Sequence, residues 1–286
     1  MLSNLLRVAF IAFVLQLLVL SPSYAATGPG GMPIPGSDDE EYQAIQEEMD
    51  REAAEEEEVE KEIPPIEMIF IEGGCFDMGD FAEKGDPDEK PVHEVCVSDF
   101  RLAEVEVTQE LWEAVMGFNP MIERDVDMQK PVARITWFWA TRFIEVLNDR
   151  TGGFYRLPTE AEWEFAARER GEDVVWSGTS DENHLREYSS FEDTSDMSLQ
   201  TVKSYKPNAL GLYDMSGSVW EWMDDNFGFD YYEESPKDDP YGPDYSNWKT
   251  IRGGSYVDTP HRMRTTYRHA FEPVLTSYGL GLRLAE

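Results

Sequence analysis

The sequence predicts an α+β domain in which loops outweigh regular elements, and three observations carry that prediction. Strand-like alternation comes in short bursts such as MIFI and VHEVCV, each closed by glycine or by an Asp-Pro turn signal. Three segments carry a threonine where a helix should begin, and glycine lies at or beyond their ends. From Gly171 onwards tryptophans and turn residues alternate without a helical or a strand period. With 286 residues, 41% hydrophobic content, eight tryptophans and thirteen tyrosines, the chain has material for one sizeable core. There is no internal repeat.

Residues 1–25 hold Arg7, then an apolar run over 8–20 broken only by Gln16, then Ser23 and Ala25 at small-residue cleavage positions. This predicts a secretory signal peptide cut after Ala25, and hence export to a periplasm or beyond. The apolar run is shorter than the ~20 residues a spanning helix needs, so no stable membrane insertion is expected after cleavage. Residues 26–65 read as a flexible acidic linker. Within it, 38–62 holds 14 Asp and Glu against Arg51 and Lys61, a net of −12 out of the chain's −34. Such a tract is a disordered spacer, or a partly helical one through Tyr42, Ile45, Met49 and Ala53 at helical spacing. The folded domain is expected over 66–286. An excess of negative charge this large makes nucleic acid and anionic membranes poor partners and favours cationic ligands or surfaces.

MIFIEGGCFDMGD starts as a strand and breaks at Gly73 and Gly74. TQELWEAVMG predicts a short helix with Thr108 as N-cap and Gly117 just past its end. ITWFWATRFIEVLNDRTGG repeats the plan, with Thr136 as cap, an apolar stripe of Ala140, Phe143, Ile144 and Leu147, and a stop at Gly152 or Gly153. LPTEAEWEFAARERG is the clearest helix, because Thr159 and Glu162 form a capping box that satisfies two otherwise unpaired amides. The stretch PNALGLYDMSGSVWEW, residues 207–222, organises the rest. LGLYDM is a candidate short strand, Gly217 and Ser218 interrupt it, and VWEW alternates before an acidic turn expected at Asp224 and Asp225.

The two cysteines, Cys75 and Cys96, are expected to form one disulfide stapling the GG-Cys strand to VHEVCV. A redox-active pair is the alternative, without the close Cys-x-x-Cys spacing of that role. The four histidines, His93, His184, His261 and His269, show no metal-ligand spacing. Ser255 follows two glycines but lacks a G-x-S-x-G frame, and no Ser-His-Asp set, phosphate-cradling loop or carboxylate pair stands out.

GGCFDMGD, DEKPVHEV, VEVTQELWEAVMG, YRLPTEAEWEFAAR, PNALGLYDMSGSVWEW, IRGGSY and GLGLRLA occur in an order and spacing that resembles the formylglycine-generating enzyme (sulfatase-modifying factor) superfamily. The resemblance spans almost all of 66–286 and implies a C-type-lectin-like fold. It also implies a calcium ion held by the side chains of Asp214 and Glu221 and the carbonyls of Gly217 and Val219, with a weaker second site at Asn183, the carbonyl of His184, and Asp193 or Asp196. In the enzymes, two cysteines after RGGSY bind copper and oxidise a substrate cysteine. Here Asp258 and Met263 stand in their places, so no copper is expected, and filler and surface roles are assigned to the two. Ser255, Tyr256, Trp220 and Arg264 would line a substrate cleft, with His261 in the same loop as a possible ligand. Related sulfoxide synthases take iron through a histidine-bearing N-terminal domain, where this chain has its acidic tether. Three functions follow: a cysteine-independent, oxidoreductase-like tailoring enzyme as first choice, a non-catalytic ligand-binding or accessory module as alternative, and a true formylglycine-generating oxidase as the least favoured. The substrate, small-molecule ligand or protein partner is not legible.

Overall fold

In a computed structural model the described residues are 61–286; the expected signal peptide and all but the last five residues of the linker lie outside them. Strand β1 (Met68–Ile71) pairs antiparallel with β4 (Phe100–Ala103), so that Met68 faces Ala103 and Ile71 faces Phe100. The other edge of β4 is closed by the C-terminus, the amides of Arg101 and Ala103 donating to the carbonyls of Glu286 and Leu284. Between them, β2 (Gly74–Met78) and β3 (His93–Val97) form a second antiparallel pair. At the crossing from β1 to β2 any side chain on residue 73 would sit 2.4 Å from the carbonyl oxygen of Val97, which is why glycine occupies it.

Three helices follow, each starting where the threonines predict. Helix α1 (Gln109–Met116) is capped by the Thr108 hydroxyl accepting the amide of Leu111, and Gly117 ends it in the left-handed region at φ 73°. Helix α2 (Trp137–Thr151) is capped by Thr136 and stopped by Gly152, and it buries Ala140, Phe143, Ile144 and Leu147 as its stripe predicts. Helix α3 (Glu160–Ala167) carries the capping box of Thr159 and Glu162. It is buried almost all round, including Glu160 and Glu164, because it lies between the β2–β3 pair and the main sheet.

The main sheet has the order β7-β6-β5-β8, with β5 Trp220–Asn226, β6 Lys249–Arg252, β7 His269–Phe271 and β8 Leu280–Gly281. β5 runs antiparallel to β6 and parallel to β8. One apolar cluster joins α1 and α2 to this sheet around Trp112, Phe143 and Trp222. A second joins α3 to β2 and β3 around Phe76, Trp163 and Phe165.

Two expectations are corrected here. LGLYDM is not a strand but a chain of turns, because Asn208 turns the backbone back on itself by accepting the amides of Leu210 and Leu212. Asp224 and Asp225 are not in a turn: β5 continues through both. The β6 ladder shifts register between Trp222 and Asn226, and there other partners hold the strand: the Asp224 amide donates to the Pro158 carbonyl at 3.0 Å, and Asp225, only 2% exposed, accepts the amide of Glu160 at the start of α3. These tertiary hydrogen bonds to Pro158 and Glu160 outweigh the local turn preference of two acids.

Candidate functional site

Gly253 and Gly254 leave β6 at φ 96° and 77° and carry the chain into Ser255–Asp258. The Asp258 carboxylate is the centre of a closed knot. Its Oδ2 accepts from Trp220 Nε1 at 2.9 Å, from the Ser255 amide at 3.0 Å and from the Ser255 hydroxyl at 2.5 Å, while Oδ1 accepts from Arg262 at 3.1 Å. Neither the filler nor the surface role expected of this position describes Asp258: the residue is 8% exposed, and four donors offset the cost of burying its charge. The filler role expected for Met263 is what the structure shows, since it is fully buried with Trp176, Leu185 and Phe191.

Ser255 and Trp220 are 2% and 6% exposed, so they form the inside of this knot and not the wall of an open cleft. Arg264, expected beside them, turns to Glu89 and makes a two-pronged pair at 2.6 and 2.7 Å. Tyr256 is half-buried and packs on Met121, Ala133, Leu199 and Val219. His261 is exposed, 3.4 Å from Asp86, and packs edge-on against Tyr267. His269 lies 5.5 Å from the Trp220 ring, and burial, reinforced by the Arg262 charge, lowers its pKa and keeps it neutral.

The second group of residues surrounds Arg283, a fully buried guanidinium that grips Glu221 with Nη2 at 2.8 Å and Nε at 3.0 Å. Trp163 Nε1 donates to the same carboxylate at 2.7 Å. Arg283 thus neutralises Glu221. Among the described residues Asp214 accepts only the amide of Lys203, and burial raises its pKa to about 6. Glu106, which the sequence reading did not single out, is 1% exposed; the Ser218 side chain lies beside its carboxyl, but among the described residues neither carboxyl oxygen has a hydrogen bond of ordinary geometry. Burial first, and the neighbouring Asp214 charge second, hold its pKa well above the ordinary range. Among the described residues the carbonyls of Gly217 and Val219 accept no hydrogen bond, and Asp214, Gly217 and Ser218 turn the loop through φ 61°, 89° and 61°.

With all three carboxyls ionised, the charge left over after Arg283 would be that of a divalent, oxygen-ligated cation such as the resemblance implies. As they stand the side chains do not form a cage: among the described residues no three His, Cys, Asp or Glu side chains are grouped to hold a metal. The residues of the weaker site lie on the surface. Asn183 and Asp193 share one open depression with Glu182 and Arg186, His184 is 3.5 Å from Asp181, and Asp196 is exposed at φ 51°.

Cys75 and Cys96 form the expected disulfide. Glu106 escaped the sequence reading because AEVEV alternates like a half-solvated strand. Arg283 escaped it because its partner Glu221 is 62 residues away.

The model of the "Sulfatase-modifying factor enzyme 1-like domain" family matches residues 52–286. The chain is 34% identical over 260 residues to "Serine/threonine-protein kinase pkn1" of Chlamydia pneumoniae, covering 80% of this chain and 40% of that protein. It is 36% identical over 181 residues to "Formylglycine-generating enzyme" of Streptomyces coelicolor, covering 54% of this chain and 52% of the other. Among solved structures it is similar to Treponema denticola variable protein 1, with a TM-score of 0.69 and 29% identity over 77% of this chain and 94% of that one. The chain thus spans about two fifths of the kinase-named relative.

Proposed function

The chain belongs to the sulfatase-modifying factor enzyme 1-like family, and from that premise we propose that it is an exported, calcium-stabilised binding module of the family that does not carry out the copper-dependent oxidation. The single observation that supports this reading most is the state of the two positions where the enzymes bear thiolates. Asp258 spends both oxygens on Trp220, Ser255 and Arg262, and Met263 is sealed beneath Trp176 and Phe191. A hard carboxylate engaged in this way and a buried thioether do not make the two-thiolate site that Cu(I) prefers. The tailoring-enzyme reading, first choice on the sequence, has less support, since Ser255 and Trp220, expected to line its cleft, are inside the knot.

Calcium would be held by Asp214, Glu221 and the Gly217 and Val219 carbonyls, with Glu106 as an additional carboxylate, and would supply charge compensation to a loop with no ladder of its own. Export is supported by the disulfide, a bond favoured in oxidising compartments. Among the described residues no helix is long and apolar enough to cross a membrane.

The experiment is to incubate the purified protein with copper, oxygen and a peptide bearing the sulfatase cysteine motif, and to follow the peptide's mass. An unchanged peptide is the expected result. Conversion of its cysteine to the aldehyde would refute the reading and make Asp258, Met263 or His261 part of a metal site.

A further inference from the structure

The β5–β6 connection, residues 227–248, is far longer than a hairpin needs, and loops of such length without strands of their own usually carry function. It holds six carboxylates against the single Lys237, together with seven aromatic residues. The structure folds this segment back on the end of β5. Asn226 donates to the carbonyls of Pro243 at 3.0 Å and Asp244 at 3.3 Å, the Phe227 amide donates to the Trp248 carbonyl at 2.9 Å, and Tyr241 bonds to the Asp224 carboxylate. The loop is therefore shaped by hydrogen bonds, yet four of its rings face solvent: Phe229 is 55% exposed, Tyr241 54%, Tyr245 79% and Trp248 43%.

Burying these rings would stabilise the chain, so their exposure on a shaped loop calls for an occupant. Charge decides which. Asp230, Glu233, Glu234 and Asp244 of the same loop are exposed and have no ion-pair partner among the described residues, the loop's one lysine, Lys237, pairing with Glu94. A second copy of a chain with net charge −34 would bring the same carboxylates to the contact and be repelled. A cationic segment gains both from the carboxylates and from the ring faces, which attract ammonium and guanidinium groups. The chain itself shows the pairing where this loop enters β6: the Lys249 ammonium sits 4.2 Å from the Trp137 ring centroid and donates to the Asp224 carbonyl at 2.6 Å.

We propose that the β5–β6 loop is a docking surface for a lysine- and arginine-rich polypeptide segment of a partner protein. This deepens the binding-module reading by naming a partner class, and it is separable from it, because the peptide-oxidation assay reads the Asp258 knot and not this loop.

The test uses the full chain and two fluorescein-labelled nonapeptides, (Arg-Gly-Lys)3 and (Gln-Gly-Gln)3, titrated by fluorescence anisotropy. Two loop variants remove only exposed groups: Phe229→Ala with Tyr245→Ala, and Asp230→Asn with Asp244→Asn. A third variant removes four of the tether's fourteen carboxylates through Glu55→Gln, Glu56→Gln, Glu57→Gln and Glu58→Gln. The basic peptide should bind and the neutral one should not. Each loop pair should weaken binding about tenfold, the size expected for two cation–π or two rim charge contacts, while the tether variant should retain most of it. Loop variants that bind like the parent, with binding lost in the tether variant, would overturn the proposal. So would equal binding of the neutral peptide, which would indicate stacking of an uncharged ligand, or concentration-dependent self-association abolished by the loop variants, which would indicate a second copy.

Discussion

Asp225 shows how one residue can tie stability to pH. Its carboxyl is buried in the middle of β5, with Glu160, Asp224 and Glu162 as negative neighbours, and burial followed by the Glu160 charge raises its pKa well above the ordinary carboxylate range. Glu160 goes the other way: against the penalty of its own burial, Arg268 and then Arg252 hold it ionised and lower its pKa. The folded chain therefore keeps a proton on Asp225 at pH values where the unfolded chain, with a pKa near 3.9, has lost it. Stability from this group is full below about pH 4 and is lost as the pH rises through the folded pKa. Asp225→Asn keeps the oxygen that accepts the Glu160 amide and removes the titration. The variant should be more stable than the parent at pH 8, with the gap closing towards pH 4, each unit of raised pKa being worth about 1.4 kcal/mol. Urea midpoints at the two pH values measure it, and an Asn variant weaker than the parent at pH 8 would refute the account.

At the scale of an element, the β2–β3 pair depends on more than its own ladder. Cys75 and Cys96 are direct register partners, and their bond closes a loop with a sequence separation of 21. In the chain-entropy model a loop of that size contributes about 3 kcal/mol by restricting the unfolded chain. β3 is also tied on its outer side, where the Cys96 amide donates to the Lys237 carbonyl at 2.7 Å and Asp239 caps the Ser98 amide at 2.7 Å. Cys75→Ser with Cys96→Ser should therefore lower the unfolding free energy by about 3 kcal/mol while the folded circular dichroism spectrum stays the same. A loss of tertiary signal in the folded variant would show that the outer ties do not hold the pair without the cross-link.

For the whole molecule, the balance of buried charge around Arg283 sets the expected response to cations. Glu221 is neutralised within the chain, whereas Asp214 and Glu106 are not, so a divalent cation bound there would favour the folded state over the unfolded one. At a free calcium concentration 100 times the dissociation constant the gain is about 2.7 kcal/mol. For a domain of this size that is roughly 5–10 °C in melting temperature, to be read by calorimetry with calcium and then with chelator. Glu106→Gln with Asp214→Asn should abolish the difference and melt higher than the parent in chelator, because the uncompensated carboxyls are gone. A parent protein indifferent to chelation would remove calcium from the proposed function.

What rests on contacts a few residues long can be read along the chain. The caps at Thr108 and Thr136 and the box of Thr159 with Glu162 are bonds across three positions, and the glycine stops need only a left-handed backbone, so the helices were legible with their starts. The disulfide followed from there being two cysteines, and the ordered motifs pointed to the family. Only the tertiary structure decided the site. Asp258 meets Trp220 across 38 residues, Arg283 meets Glu221 across 62, and Glu160 meets Arg268 across 108. Those pairings depend on which strands lie side by side in the main sheet. A carboxylate read along the chain looks the same whether solvent or a buried arginine will receive it, and it is the low dielectric of the folded interior that turns the difference into charge state and stability.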